Sequence, residues 1–365
     1  MKIKEVIQHL ERKFPLHWQE DFDNSGIQCG DKERTVTGVM VCFDMSEKVL
    51  DEAIAKNCNM VIAHHPLIYR ADLKRIEPNN RIGKILFKAI ENKLFLYSMH
   101  TNIDSGIGGG NDLFSEKLGL TDVKVLSPKT DMFKKLVVYV PFEQSNQLKE
   151  KLFEAGAGQI GKYEQCSYNV EGYGTFLPLE GAQPAIGNVG KIEEVKEERV
   201  EMIFPAHLQN RIVKTVYANH PYEEPAFDIF KLENENRSIG LGRIGVLPEP
   251  MEVADFLQFA KERLQLKVIK YSGKIDRKIR TVAVCGGGGS SYIKAALQAN
   301  ADIYVTGDLK YHDFFIPENK MVLADIGHFE GENFIREIIY NEVSKNFTNF
   351  ASYISEQEKL EIHFI

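Results

Sequence analysis

Several histidines and carboxylates in this chain are spaced so that they could gather round a cation. Met60–Val61–Ile62–Ala63 is an apolar, β-prone run that ends in His64–His65, and Pro66 then forbids the strand to continue. A second apolar run, Leu94–Met99, leads to His100, with Asp104 four residues on. Later in the chain Asn300–Thr306 leads to Gly307–Asp308 and His312, and Lys320–Asp325 leads to His328 and Glu332. Side chains just beyond the carboxyl end of a buried parallel strand point into the crevice where open α/β sheets keep their ligands. A His-His pair by itself is as well explained as a strand end or loop, since two charged imidazoles repel. Neutral imidazoles beside carboxylates make a metal site. A dinuclear centre needs about five or six nitrogen and oxygen ligands, one of them able to bridge ions roughly 3.5–4 Å apart. No sulfur occupies these positions, which favours zinc, manganese or iron(II) over copper(I) or an iron–sulfur cluster.

The elements that must hold these residues repeat. Val36–Asp44 reads as a buried strand, Ser46 caps a helix that runs through Ala55, Asn57 ends it, and Met60–Ala63 is the next strand. Ile279–Ser290, a helix over Tyr292–Gln298, Asn300 and Ile303–Gly307 follow the same order at a constant offset of 243, so that His64–His65 align with Gly307–Asp308. His100 and Asp104 align with His328 and Glu332 at an offset of 228. Each copy is a βαβ unit with parallel, covered strands. The expected fold is α/β, with two similar α/β halves forming one split domain. Residues 1–128 make the first half and 237–365 the second. Between them, 129–236 reads as strand, helix, two strands, helix and strand, the ferredoxin-like βαββαβ order of an inserted α+β domain.

Composition narrows the classes. With 45 basic and 52 acidic residues the net charge is −7, which argues against a general nucleic-acid or membrane-surface binder. No stretch approaches the roughly 20 apolar residues of a membrane helix, and the start reads as an amphipathic helix, not as a secretion signal. Five scattered cysteines without CxxC spacing suit reduced thiols in a cytoplasm. The glycine run Gly286–Gly289 reads either as a phosphate cradle or as a tight strand-to-helix turn. His220–Pro221–Tyr222–Glu223 reads either as a functional loop or as a rigid turn.

Asp23–Asn24–Ser25–Gly26, Ala63–His64–His65–Pro66–Leu67, His100 through Asp104, Thr306–Gly307–Asp308 with Tyr311–His312, and Gly327–His328 with Glu332 together resemble the Nif-three-like family of dinuclear metal-centre proteins, labelled "GTP cyclohydrolase 1 type 2 homologue". The central region resembles that family's PII/CutA-like insert, with His220–Pro221–Tyr222–Glu223 as its signature. The resemblance implies two divalent ions per subunit, zinc ahead of manganese or iron, held by His64, His65, Asp104, His328 and Glu332. His100 and His312 would then be acid–base or supporting groups, and Asp308 would orient a ligand. It also implies a toroidal homohexamer whose inserts cap the ring as trimers. The expected activity is metal-dependent hydrolysis of a nucleotide or other small molecule, as in hydrolytic opening of the GTP purine ring. The alternative is a metal-binding regulatory or scaffold hexamer without turnover.

Overall fold

The computed structural model describes residues 1–69, 75–358 and 362. The chain folds as two compact units, Met1–Pro128 with Arg237–Ile365, and Lys129–Asn236. It is a mixed α/β protein, with three sheets among the described residues.

The first unit begins with α1 (Ile3–Lys13), β1 (Gly26–Cys29) and β2 (Gly38–Cys42), followed by α2 (Glu47–Ala55) and β3 (Met60–Ala63). The hydroxyl of Ser46 accepts from Val49 N at α2's start, and Asn57 turns out of the helix at φ 55. Next come α3 (Arg81–Glu91), β4 (Phe95–Ser98), α4 (Thr101–Ser105), α5 (Gly110–Lys117) and β5 (Thr121–Lys129).

The second unit consists of β6 (Phe133–Pro141), α6 (Ser145–Glu154), β7 (Tyr168–Phe176), β8 (Glu193–Pro205), α7 (Gln209–Asn219) and β9 (Phe227–Lys231). Its four strands lie in the order β7-β8-β6-β9, all neighbours antiparallel. That is the split βαβ order expected of a ferredoxin-like fold. One sheet face buries Leu136, Val138, Val200 and Met202 against Leu148 and Leu152 of α6 and Ile212 and Val216 of α7.

The first unit resumes with β10 (Asn236–Glu252), α8 (Val253–Arg263), β11 (Lys270–Ser272), β12 (Lys278–Gly288), α9 (Ile293–Gln298) and β13 (Ile303–Gly307). It ends with β14 (Val322–Asp325), α10 (His328–Glu332), α11 (Ile335–Asn346) and β15 (Ala351–Ile354). The duplication runs further than the metal-binding stretches. Each copy opens on a helix (α1, α8) and an edge strand that pairs antiparallel with the copy's last strand, β1 with β4 and β11 with β14. Then β2, β3 and β4, like β12, β13 and β14, lie side by side and parallel. Asn300 leaves its helix at φ 55, as Asn57 does 243 residues earlier.

Two features depart from the sequence reading. The halves trade strands: β15, from the chain's end, pairs parallel to β2 in the first sheet, whereas β5, from the first half, lies beside β10 at the edge of the second. The second departure is register. Ala63 pairs with Ser98 and Thr306 with Asp325, so the last strands correspond at an offset of 227, not 228. His100 is the residue before α4 and matches Gly327, whereas His328 is the first residue of α10. One residue is about 100° round a helix, so the two His-x-x-x-acid pairs are not equivalent in space.

Alternate residues of the parallel strands serve two cores. Val39, Val41, Met60 and Ile62 of one sheet and Val282, Val284, Ile303 and Val305 of the other share one core with α1, α8 and α11. The opposite faces pack under α2 and α3 in one sheet and under α9 in the other. Burial on both sides is why these strands read as unbroken apolar runs. Among the described residues, no helix is long and apolar enough to cross a membrane.

Candidate metal centre

The strand β3 ends at Ala63, but its ladder with β2 runs on. His64 N donates to Cys42 O at 3.1 Å and His65 N to Phe43 O at 3.1 Å. Both imidazoles are therefore set by sheet register. The His64 ring is fully buried, and its Nδ1–H donates to the Met99 carbonyl at 2.9 Å, which leaves the Nε2 lone pair for the centre. His65 Nδ1 donates to Asp44 Oδ1 at 3.1 Å. His328 Nδ1 donates to Asp308 Oδ2 at 2.7 Å. Asp308 reaches it from a left-handed backbone, φ 56, a conformation that Asp adopts more readily than most residues. Each ring thus gives one nitrogen to an oxygen and keeps the other for the centre, the arrangement by which proteins orient metal-ligating histidines.

The carboxylates close the site. Glu332 Oε2 lies 3.2 Å from His328 Nε2, 3.4 Å from His64 Nε2 and 3.5 Å from His65 Nε2. Asp104 Oδ2 is 3.8 Å from His64 Nε2. Three groups of potential ligands emerge among the described residues, His64 with His65 and His100, His64 with Asp104 and Glu332, and His65 with His328 and Glu332; ligand atoms within each lie within 4.8 Å of one another. Glu332 belongs to the last two. His64 Nε2 and Glu332 Oε2 are buried without a hydrogen-bond partner, which buried polar atoms rarely tolerate. A cation between them satisfies both, so the donor set fits a divalent metal.

Charge in the site is divided unevenly. Burial lowers the His64 pKa to about 4, so the ring is a neutral ligand at pH 7. Burial also opposes charge on His65, but Asp44 and Glu332 outweigh it and raise its pKa to about 10. Glu332 and Asp308 likewise overcome burial at His328 and raise it to about 9. His65 Nε2 and His328 Nε2 stand 3.1 Å apart, and one must accept from the other, so the two rings cannot both be cationic there. Burial, then the charge of Glu332, pushes Asp104 well above the carboxylate range. Glu332 is held well below that range by the surrounding histidines despite its own burial.

His100 stands beside this centre, its ring centroid 5.2 Å from His64 and 5.3 Å from His65. Its Nδ1 donates to Asp23 Oδ1 at 2.7 Å, and Asp23 also accepts from Thr101 N at 3.0 Å and from the hydroxyls of Thr101 and Ser25. The early Asp-Asn-Ser-Gly turn is thus the support of His100. His312 is not brought in. It sits on the 3₁₀ turn Tyr311–Phe315 with its ring against Tyr311 and Phe315, and belongs to none of the candidate ligand groups among the described residues.

The glycine run also has its reason here. A Cβ at Gly287, at φ 60, would overlap the Glu332 carboxylate, and one at Gly286 would crowd Glu332 Cγ, so the bare backbone makes room for that side chain. Asn111 joins the halves beneath the site: its Oδ1 accepts from Gly286 N at 2.9 Å and its Nδ2 donates to Asp104 O at 3.1 Å. Asp44 and Asn111 carried no signal in the sequence beyond lying near a strand end or in a helix.

Residues 1–360 match the family described as Duf34/NIF3 (NGG1p interacting factor 3). The chain belongs to the Duf34/NIF3 family. Curated relatives in this family include the "GTP cyclohydrolase 1 type 2 homolog" of Bacillus subtilis, 40% identical over 331 residues, 89% of this chain and 88% of that one. The protein of the same name from Staphylococcus epidermidis (strain ATCC 12228) is 33% identical over 360 residues, 98% of each chain. Among solved structures, a Bacillus cereus protein related to NIF3 superposes with a TM-score of 0.76 at 37% identity, covering 100% of this chain and 99% of that one. The Duf34/NIF3 fold thus accounts for the whole length of the chain.

Proposed function

We propose that this Duf34/NIF3 protein is a hydrolase that works at two divalent cations, zinc ahead of manganese or iron. His64, Asp104 and Glu332 would hold one and His65, His328 and Glu332 the other. The observation that carries this reading is the overlap of two ligand groups on one buried carboxylate whose free oxygen has no partner. Cations bound there supply Lewis acidity and lower the pKa of a coordinated water to around 7.

The chain's own groups do the rest. Asp23 holds one nitrogen of His100, so the other can accept a proton and return it to the leaving group. Asp44 and Asp308 keep His65 and His328 in the tautomer that faces the centre. A cavity of about 720 Å³ opens onto His65 and His328 and is lined by Phe43, by the cations Lys48, Arg81 and Lys270, and by carboxylates that include Asp308 and Asp325, the latter paired with Lys270 at 2.6 Å. That volume suits a nucleotide-sized substrate. The names of the relatives then point to hydrolytic opening of the GTP purine ring. The βαββαβ order of the second unit supports reading it as a PII/CutA-like module; the toroidal homohexamer that such modules would cap as trimers is part of the same proposal. The cysteines are unpaired, in keeping with a reducing cytoplasm.

Elemental analysis of the purified protein, with a nucleotide-turnover screen of the wild type and His65→Ala, tests the proposal. Two metal equivalents per chain and loss of turnover in His65→Ala are expected. Less than about one equivalent, or turnover indifferent to His65→Ala, sinks it. Bound metal with no turnover of any nucleotide would move the function to a metal-dependent scaffold.

A further inference from the structure

Beyond β15 the chain carries a carboxylate into the neighbourhood of the metal centre. Ser355 N still donates to Val41 O at 2.8 Å, continuing the β15–β2 ladder, and the Ser355 hydroxyl bonds Glu52 at 2.6 Å. This anchors the segment that delivers Glu358. One oxygen of Glu358, Oε1, accepts from both Phe43 N and Asp44 N, each at 2.7 Å. The other, Oε2, accepts from Arg336 Nη1 at 2.9 Å. Only 7% of the Glu358 side chain and 18% of that of Arg336 are exposed, so water is a poor substitute for either partner.

What lies on each side of Glu358 gives the contact its meaning. The Phe43–Asp44 segment receives His65 N–H through the Phe43 carbonyl and His65 Nδ1 through the Asp44 carboxylate. Its two N–H groups go to Glu358, so both hydrogen-bonding edges of the segment are committed. Arg336 stands one turn beyond Glu332, and its Nε donates at 3.0 Å to the carbonyl of Asn333, the residue that ends α10. The Arg336 guanidinium also lies 5.8 Å from the Phe329 ring, which packs edge-on against Phe43 at 5.2 Å. One carboxylate from the last residues therefore ties together the loop that orients His65 and the helix that carries His328 and Glu332. The His64 and Asp104 side depends on it less: His64 is oriented by Met99 and Asp104 is tied through Asn111, and that side shares with the other only Glu332 and the Phe43 ring stacked on His64 at 5.5 Å.

We propose that Glu358 is a positioning residue for the His65–His328–Glu332 half of the metal centre, acting through Asp44 and Arg336. Its effect on cation binding rests on the dinuclear reading above. Groups that orient metal-ligating histidines typically change affinity by 10–100-fold when removed. Because Glu358 acts one contact further out, the lower end, about 10-fold, is expected for Glu358→Gln.

The test is calorimetric titration of metal-free, full-length protein with Zn²⁺, for wild type, Glu358→Gln, Asp44→Asn and the double variant. One of the two binding events should weaken about 10-fold in Glu358→Gln and the other, which shares only Glu332 among its ligands, should weaken less. The double variant should lose less than the sum of the two single losses, because both act in part on the same imidazole. Equal weakening of both events, no weakening, or fully additive losses would overturn the proposal. Amide hydrogen exchange on the metal-free proteins supplies a readout independent of cations: Phe43 and Asp44 should lose protection in Glu358→Ala, which leaves no side-chain oxygen for their N–H groups, and that loss should spread to His65. If the wild type binds no zinc, the dinuclear reading fails and exchange decides whether Glu358 positions the His65 loop; unchanged exchange there refutes that too.

Discussion

The protonation of the metal-free histidines makes metal binding a proton-releasing event. At pH 7 His64, with a pKa of about 4, is neutral and gives up nothing. His65 and His328, at about 10 and about 9, share at least one proton, and their 3.1 Å contact limits them to one on the nitrogens that face each other. Filling the His65–His328 ligand group removes that proton, so about one should be released per chain at pH 7. Displacing a proton from a group of pKa about 9 at pH 7 weakens apparent affinity about 100-fold. The sign follows. The raised histidine pair stabilises the metal-free protein below its ordinary pKa of 6.5, and that stabilisation fades as pH rises through about 9 to 10. Metal affinity should therefore climb from pH 6.5 and level off above about pH 9 to 10. Zinc titrations in buffers of different ionisation enthalpy count the protons directly. Release of none at pH 7, or affinity that falls between pH 6.5 and 8, would refute the reasoning.

Other outcomes follow from the same geometry. Glu332→Gln should weaken both binding events, because its carboxylate belongs to both ligand groups, whereas Asp104→Asn should weaken one; elemental analysis after dialysis distinguishes them. Asp23→Ala removes the acceptor of His100 Nδ1 and should lower turnover by up to roughly 10²–10⁴-fold while leaving metal content intact, if His100 shuttles the proton. Gly287→Ala should cost at least about 1–2 kcal/mol from the left-handed backbone alone, and should also displace Glu332. Thermal unfolding with metal analysis would show both effects together. Ile62→Ala, in the core shared by the two sheets, should cost about 2–5 kcal/mol in urea unfolding with little change in metal content.

Much of the fold was legible because its signals are local. Strand β3, the Ser46 cap and the Asn57 and Asn300 turns each follow from a few neighbouring residues, and the offset of 243 between βαβ units holds in the strand pairing. The ligand candidates were legible for the same reason: they sit where apolar runs stop. His64, His65, His100, Asp104, His328 and Glu332 do converge, and Asp308 supports His328, whereas His312 faces its own aromatic neighbours.

What the tertiary structure alone decided depends on contacts between residues far apart in the chain. Matching histidines by spacing aligned His100 with His328, but hydrogen-bond register shows that His100 matches Gly327. A helix turns about 100° per residue, so that single step separates a ring backed by Asp23 from one that faces Glu332. The exchange of β15 and β5 between the sheets is invisible in the pattern, because an edge position is chosen by pairing, and periodicity reports only which face is buried. Asp44 and Glu358 are ordinary acidic residues in the sequence. Only the fold sets one against His65 and the other against the backbone beneath it. The sequence determined which side chains could bind a cation; packing decided which nitrogen each histidine presents, and so which of them can share Glu332.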